Sequence, residues 1–412
     1  MGEMLEGSIL PRLVEPSLAR ALQVMPVAVV TGARQTGKST LVRNADALSA
    51  HEYLSLDELT IRDQAHHSPE ALVRRSAKLT LDEVQREPDL LISVKRAVDE
   101  ARSPGRFVLT GSANLLLMAT VSESLAGRAA YLTLWPMTRR ERLGLGRAGC
   151  WSDLVDGEPR RWLDALMEAP PPTESWRAAV RRGGYPPAAI DLESPEDRAV
   201  WFDGYTVTYL ERDLQTLARI EHLASFRRLM RAVSLRIGTL QNQADLARDL
   251  DLPPTTAQRY LDLLETSFQL VRVPAFAANR TKRLVKAPKL YVTDTGLALH
   301  LSGESEPRGA HLENMILGDL LAWRGTRTDG STLLHYRTTK GAEVDFVIET
   351  PARTLPIEIK TSQVVRSSDA RHIEGFLDEY TDVADAGLLL YDGDRAFWLS
   401  ERVLAAPWWM AA

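Results

Sequence analysis

The run Gly32-Ala33-Arg34-Gln35-Thr36-Gly37-Lys38-Ser39 has the Gly-x4-Gly-Lys-Ser spacing of a phosphate cradle. Glycines let the backbone wrap closely and turn its N–H groups toward phosphate oxygens. A helix beginning at Lys38 would add its positive dipole end. Lys38 is expected to reach the β- and γ-phosphates, and Ser39 to ligate Mg²⁺. The expected nucleotide-binding set is Gly32, Gln35, Thr36, Gly37, Lys38, Ser39 and Thr40, with ATP and Mg²⁺ as cofactors. Asp82 and Glu83 close the apolar run LTLDE. An acid ending a core strand beside such a loop can hold the Mg²⁺ shell, and a second can activate water, so Asp82 is assigned to magnesium and Glu83 to general base. FVLTGSAN ends in polar residues, of which Ser112 or Asn114 is expected to orient the water; Gly-Ser-Ala-Asn is equally a good turn sequence. Arg128 in SLAGR is a candidate charge-stabilising arginine delivered to a neighbouring subunit, which requires a homo-oligomer; the alternative is a solvated loop arginine.

A second constellation lies near the C-terminal end. Glu313 sits on an amphipathic helix pattern, Asp345 in AEVDFVIE, and Glu358 with Lys360 in PIEIK. Strand alternation puts Glu358 and Lys360 on one face. Helix acid, strand acid, then acid-x-lysine resembles the PD-(D/E)xK nucleases. Phosphodiester hydrolysis needs carboxylates to hold Mg²⁺ or Mn²⁺ against the scissile phosphate. On that resemblance Asp345 and Glu358 are ligands, Glu313 is an auxiliary ligand, and Lys360 positions the water, with Gln363 extending the site. The other reading is a nuclease fold used as a binding or assembly platform.

The elements that must carry these groups are readable in outline. VAVVT (27–31), LTLDE (79–83), FVLTGS (107–112) and YLTLW (131–135) read as short core strands, with a helix between Pro88 and Arg102. Strands alternating with helices indicate a parallel α/β sheet. After about residue 145 a glycine-rich stretch and Pro170-Pro171-Pro172 look like a linker or surface loop. A mainly helical region follows. Within it, 243–250, the break 251–254 and 255–266 form a helix-turn-helix pattern, and FQLVRV and KLYVTD read as strands joined by a wing-like loop. From Val271 to Lys289 the basic residues Arg272, Arg280, Lys282, Arg283, Lys286 and Lys289 occur without an acid. Arg280, Lys282, Arg283 and Lys286 are the expected DNA-backbone contacts. Asp262 and Glu265 on the second helix oppose DNA entry there. Asp294 is given no role. Boundaries fall near 172 and 305, giving 1–172, 173–304 and 305–412.

The 412 residues suggest two or three domains; 44% hydrophobic and 25% charged residues suit a globular chain. A net charge of −5 confines any nucleic-acid site to a local patch. Cys150 is the single cysteine, which excludes an internal disulfide framework. The acidic, proline-containing start is unlike a signal peptide, and no early apolar run could span a bilayer. A cytoplasmic location without a membrane partner is therefore expected.

GARQTGKST, LTLDEVQ, FVLTGSAN, SLAGR and LWPMTRRE resemble a bacterial and archaeal family of predicted AAA+-like ATPases with a C-terminal domain of unknown function. GGYPPA (183–188), YLERDL (209–214) and KLYVTDTGLA also look like that family. The resemblance implies ATP binding, a winged-helix segment and a nuclease-like tail. The expected fold class is α/β: a P-loop NTPase parallel sheet, a helical and winged-helix region, and a restriction-endonuclease-like α/β domain. Two functions are open at this stage. One is an ATP-hydrolysing machine acting on or near DNA; the other is an ATP-dependent switch that binds a protein partner, the nuclease fold serving only as scaffold. Lys38→Ala is expected to lower ATP turnover by at least about a hundredfold in a phosphate-release assay, since the γ-phosphate loses its cation; unchanged turnover would refute the site.

Overall fold

The computed structural model describes residues 9–111, 125–208, 220, 222–283 and 286–412, without the side chains of Arg280 and Lys282. Ser112, Asn114 and the segment YLERDL lie outside the described residues.

Among the described residues the N-terminal sheet has five strands: β1 (Val27–Thr31), β2 (Glu52–Ser55), β3 (Leu79–Asp82), β4 (Phe107–Thr110) and β5 (Ala129–Thr133). All pairings are parallel, in the order β2-β3-β4-β1-β5. VAVVT is buried at every position, as a central strand covered on both faces must be. Helix Leu90–Glu100 buries Leu90, Leu91, Val94 and Val98 on one face, as its spacing predicts. The strand that the sequence does not announce is β2, whose first two residues are only half-buried.

Residues after 145 depart from the expected linker. Trp151, Leu154, Val155, Trp162 and Leu166 are buried against Leu320, Trp323, Leu388 and Trp408. The Trp151 indole donates to Asp319 Oδ2. The Trp323 indole donates to Ser152 Oγ at 3.0 Å, and Trp162 stacks on Trp398 with centroids 6.2 Å apart. The segment thus belongs physically to the C-terminal core rather than to the sheet it follows. Its glycine- and proline-rich flanks suggest a linker, but two indoles carry too much apolar area to be left in water.

In the middle region, helices Gln243–Asp249 and Pro254–Thr266 form the expected helix-turn-helix. The turn uses Asp251 at φ +54° and a Leu252 N–H to Ala247 O bond of 2.9 Å. A small antiparallel sheet follows, in which β8 (Lys289–Val292) lies between β6 (Thr239–Leu240) and β7 (Leu270–Val273).

The C-terminal sheet contains β9 (Thr332–Arg337), β10 (Glu343–Glu349), β11 (Thr354–Ile359), β12 (Gly387–Tyr391), β13 (Phe397–Trp398) and β14 (Val403–Pro407) in the order β13-β14-β12-β11-β10-β9. It is mixed: β9, β10 and β11 pair antiparallel, while β11-β12 and β12-β14 are parallel. Helix Gly309–Arg324 covers one face and helix Arg371–Glu379 the other. The register of β10 shifts between Val344 and Val347, beside Asp345.

The loop after β7, read from the sequence as wing-like, is stitched to this sheet. Ala275 bridges to His335, and the Phe276 N–H donates to His335 O at 2.6 Å. Arg283 makes a two-pronged contact with Glu349 at 2.6 and 2.8 Å. Asn314 accepts from Val292 N at 3.1 Å and donates to Val292 O at 2.7 Å, which clamps β8. Among the described residues no helix is long and apolar enough to cross a membrane.

Trp162→Ala is expected to lower unfolding stability by about 3–5 kcal/mol, the usual cost of emptying a buried indole site. Chemical denaturation followed by far-UV circular dichroism checks it; a change below about 1 kcal/mol would return the segment to the status of a linker.

Candidate nucleotide site and a second acidic cluster

The phosphate loop leaves β1 at Gly32, whose φ is +142°. A Cβ there would lie 2.3 Å from Leu134 O, so only glycine fits. Gln35 and Gly37 also have positive φ, at +60° and +92°. Helix Lys38–Asn44 then begins, as the spacing requires. Thr36 is buried and its hydroxyl donates to Ala33 O at 3.0 Å. Ser39 is half-buried, and Gln35 and Thr40 are exposed. Lys38 is buried, with Nζ donating to Ala33 O at 2.6 Å and to Gly32 O at 3.2 Å. Burial draws its pKa down to about 8, against the opposing pull of Glu83 and Asp82.

A residue that the motif does not reveal braces this loop. Arg12 is buried and donates to Thr36 O at 2.7 Å, to Trp135 O at 2.7 Å and to Glu141 at 3.0 Å. The middle region also touches the loop. Ala33 packs in the same cluster as Tyr185 and Phe202, and Pro186 Cγ lies 3.7 Å from where a Cβ on Gly37 would sit.

Asp82 ends β3 buried, and two hydroxyls fix its carboxylate. Tyr53 donates to Oδ2 at 2.6 Å, and Thr110 donates to Oδ1. Thr110 also accepts the Glu83 N–H at 3.2 Å. Glu83 stands at φ +60°, a region rare for residues with a Cβ and one in which backbone strain is stored. Burial raises the Glu83 pKa, Lys38 opposes the rise, and Asp82 adds to it. Asp82, Glu83 and Lys38 are therefore brought together. Tyr53 and Thr110 are missed by motif reasoning, although Thr110 lies within FVLTGS. Arg128 is held by its own chain, donating to Asp99 at 2.6 Å and to Ala126 O at 3.0 Å.

The C-terminal acids also converge, with an unexpected member. Lys289 of β8 is buried, and its ammonium lies 2.5 Å from Glu343, 3.2 Å from Asp345 and 3.7 Å from Glu313. Asp345 Oδ2 accepts the Ile359 N–H at 2.9 Å, and Tyr291 donates to Glu313 at 3.1 Å. Lys360 pairs with Glu358 at 2.7 Å, and Glu358 Oε2 is buried without a hydrogen-bond partner. Burial raises the pKa of Glu313 and of Glu358, with Asp345 adding to both. Burial alone would lower that of Lys289, but Asp345, Glu313 and Glu343 outweigh it and the net direction is up.

This arrangement does not fit the expected Mg²⁺ or Mn²⁺ site of Glu313, Asp345 and Glu358. Carboxylate oxygens sit about 2.0–2.6 Å from hard divalent cations, and here an ammonium stands against two of the three, Glu313 and Asp345, while Glu358 is paired with Lys360. No group of three or more His, Cys, Asp or Glu residues among those described is disposed to hold a metal ion.

The basic patch shrinks for a related reason. Arg272 pairs with Asp262 at 2.9 Å and with Glu265, Arg283 is committed to Glu349, and Lys289 is buried. Lys286 is exposed; the side chains of Arg280 and Lys282 lie outside the described residues.

Residues 25–143 match the family described as AAA domain. Together with the phosphate loop on a five-stranded parallel sheet, this defines an AAA-type ATP-binding protein. Residues 173–308 and 308–410 match two domains of unknown function, DUF8612 and DUF4143. Uncharacterized proteins of Mycobacterium tuberculosis and Mycobacterium bovis are each 34% identical over 399 residues, covering 95% of this chain and 82% of theirs. The chain belongs to their family. An uncharacterized protein of Haemophilus influenzae is 21% identical over 286 residues, covering 68% of this chain and 65% of its own. Among solved structures, the Walker-type ATPase of Pyrococcus abyssi aligns with 71% of this chain and 99% of its own, at 16% identity and TM-score 0.43.

The lowered pKa of Lys38 sets a pH dependence. A bound phosphate chain favours the charged ammonium, so above pH 8 binding must take up a proton. Nucleotide affinity is expected to be flat below about pH 8 and to fall by up to tenfold per unit above it. Fluorescent-nucleotide titration checks this, and Lys38→Arg, which stays charged, should lack the slope.

Proposed function

We propose that this protein is an ATP-hydrolysing switch whose nucleotide state is read by its middle region, with the C-terminal domain serving as a scaffold. The observation that carries the reading is the placement of the GGYPPA segment beside the phosphate loop, with Ala33 and Tyr185 in one buried cluster and Pro186 Cγ 3.7 Å from where a Cβ on Gly37 would sit. In this reading Gly32, Gln35, Thr36, Gly37 and Thr40 line the nucleotide, and Lys38 bonds the β- and γ-phosphates. Ser39 and Asp82 would hold Mg²⁺, and the buried, hydroxyl-oriented carboxylate of Asp82 fits that role. The ion supplies charge neutralisation on the phosphate oxygens. Glu83 takes the proton of the attacking water; burial raises its basicity while Lys38 stands nearby.

The helix-turn-helix and three-stranded sheet of the middle region support a winged-helix reading, and the C-terminal strand order supports a nuclease-like ancestry. DNA contact is the second reading. It rests on exposed Lys286 and on the expected contacts Arg280 and Lys282, and is weakened by the pairing of Arg272 and Arg283. Arg128, tied to Asp99, is not assigned a role across subunits.

Glu83→Gln is expected to bind ATP with near-unchanged affinity while turnover falls by about a hundredfold or more; lost binding would make Glu83 structural. In that trapped variant, ATP but not ADP should slow amide exchange across 183–191. Identical exchange with both nucleotides would sink the switch. A gel-shift at two salt concentrations separates the DNA reading: binding that is strong at low salt and collapses as salt rises supports it, and none at low salt removes it.

A further inference from the structure

We propose that Lys289 is the resident cation of the C-terminal acidic cluster, occupying Glu313 and Asp345, two of the carboxyl groups a divalent ion would need, and keeping the domain metal-free while β8 is docked. The inference deepens the scaffold part of the reading above and is independent of ATP hydrolysis.

Lys289 does not come from the domain whose acids it meets. It opens β8 of the middle region, while Glu313 comes from helix Gly309–Arg324 and Glu343 and Asp345 from β10. A lysine in a strand buried at all four positions is tolerated only when its charge is matched. Three carboxyl groups match it here, at 2.5, 3.2 and 3.7 Å.

The delivery is fixed by backbone rather than left to a flexible side chain. Lys289 pairs in register with Val273 on one side and Leu240 on the other. Two residues on, Tyr291 bonds Glu313, and one further on, Asn314 clamps Val292 through both its N–H and its carbonyl. Gly238 at φ +74° lets the chain pass close by, since a Cβ there would lie 3.1 Å from Glu313 Oε2. Lys360 is engaged with Glu358, outside this triad.

The plug and a metal ion would compete for the same carboxyl groups. With the ammonium in place, its single positive charge stands at the point where Glu313, Glu343 and Asp345 converge. Without it, buried Asp345 and half-buried Glu313 are left facing each other, with Glu343 still paired to Arg337 at 3.4 Å, and a divalent cation becomes the group that satisfies them. Withdrawal of β8 would therefore convert a structural ion-pair cluster into a cation site.

Mn²⁺ titration of the nucleotide-free full chain, read by electron paramagnetic resonance, tests this. Wild type is expected to show no site in the C-terminal domain, so that Asp345→Asn leaves its Mn²⁺ isotherm unchanged. Lys289→Met is expected to gain about one Mn²⁺ per chain, binding at least about tenfold tighter than wild type, and to lose it in the double variant Lys289→Met/Asp345→Asn. Stoichiometric Mn²⁺ binding by wild type that Asp345→Asn abolishes overturns the proposal. So does a folded Lys289→Met that binds no more Mn²⁺ than wild type. Should Lys289→Met not fold, Lys289→Gln, which also removes the charge, takes its place in the same titration with the same two outcomes. The readout involves neither ATP nor exchange at 183–191, so failure here leaves the switch reading intact, and the reverse.

Discussion

Three parts of this chain meet at one buried carboxylate. Asp294 is buried, and its oxygens accept the Leu297 N–H at 2.8 Å and the Gly184 N–H at 2.6 Å. Burial raises its pKa, and backbone donors at Leu297, Gly184, Gly296 and Tyr185 resist the rise. The first bond caps helix Thr295–Ser302; the second pins the Gly183-Gly184 pair. Gly183 must be glycine, because its φ is +70° and a Cβ would stand 2.6 Å from the carboxylate. Gly184 in turn accepts the Met137 N–H at 2.6 Å, which ties the junction to the segment leaving β5. Remove the carboxylate and the glycine pair loses its anchor, and with it the placement of Tyr185 and Pro186 against the phosphate loop.

The phosphate loop itself is held from two directions. Arg12 grips Thr36 and Trp135 from the N-terminal side, and the Tyr185-Pro186 corner leans on it from the middle region. Asp82 and Glu83, by contrast, are governed from within the sheet, since Thr110 of β4 bonds both the Asp82 side chain and the Glu83 backbone. One hydroxyl thus sets the relative position of the two acids, and the left-handed backbone at Glu83 is the local cost of that placement.

What was legible in the sequence was local. Gly-x4-Gly-Lys-Ser, the acids closing LTLDE and the helix-turn-helix are each written within a dozen residues, where spacing alone dictates geometry. Arg12 and Tyr53 were not legible, because their roles depend on partners at Glu141 and Asp82 that only the folded chain brings near. Asp294 looked like a turn residue because capping is what its side chain does locally; its longer-range bond to Gly184 leaves no pattern. The basic run 271–289 misled for the opposite reason. Counting charges says nothing about their partners, and Arg272, Arg283 and Lys289 each found carboxylates, two of them across the boundary drawn near 305. Trp151 and Trp162 were hidden by the glycines and prolines around them.

The stitching of the 274–276 segment to β9 bears on how such a chain can be inherited. The two domains of unknown function abut at residue 308, yet positive charge on one side of that border balances negative charge on the other. A recombination event at the border would hand one descendant a buried lysine with no counter-charge and leave the other with Asp345 and Glu313 short of a cation. The pair is therefore expected to travel through genomes as one heritable block.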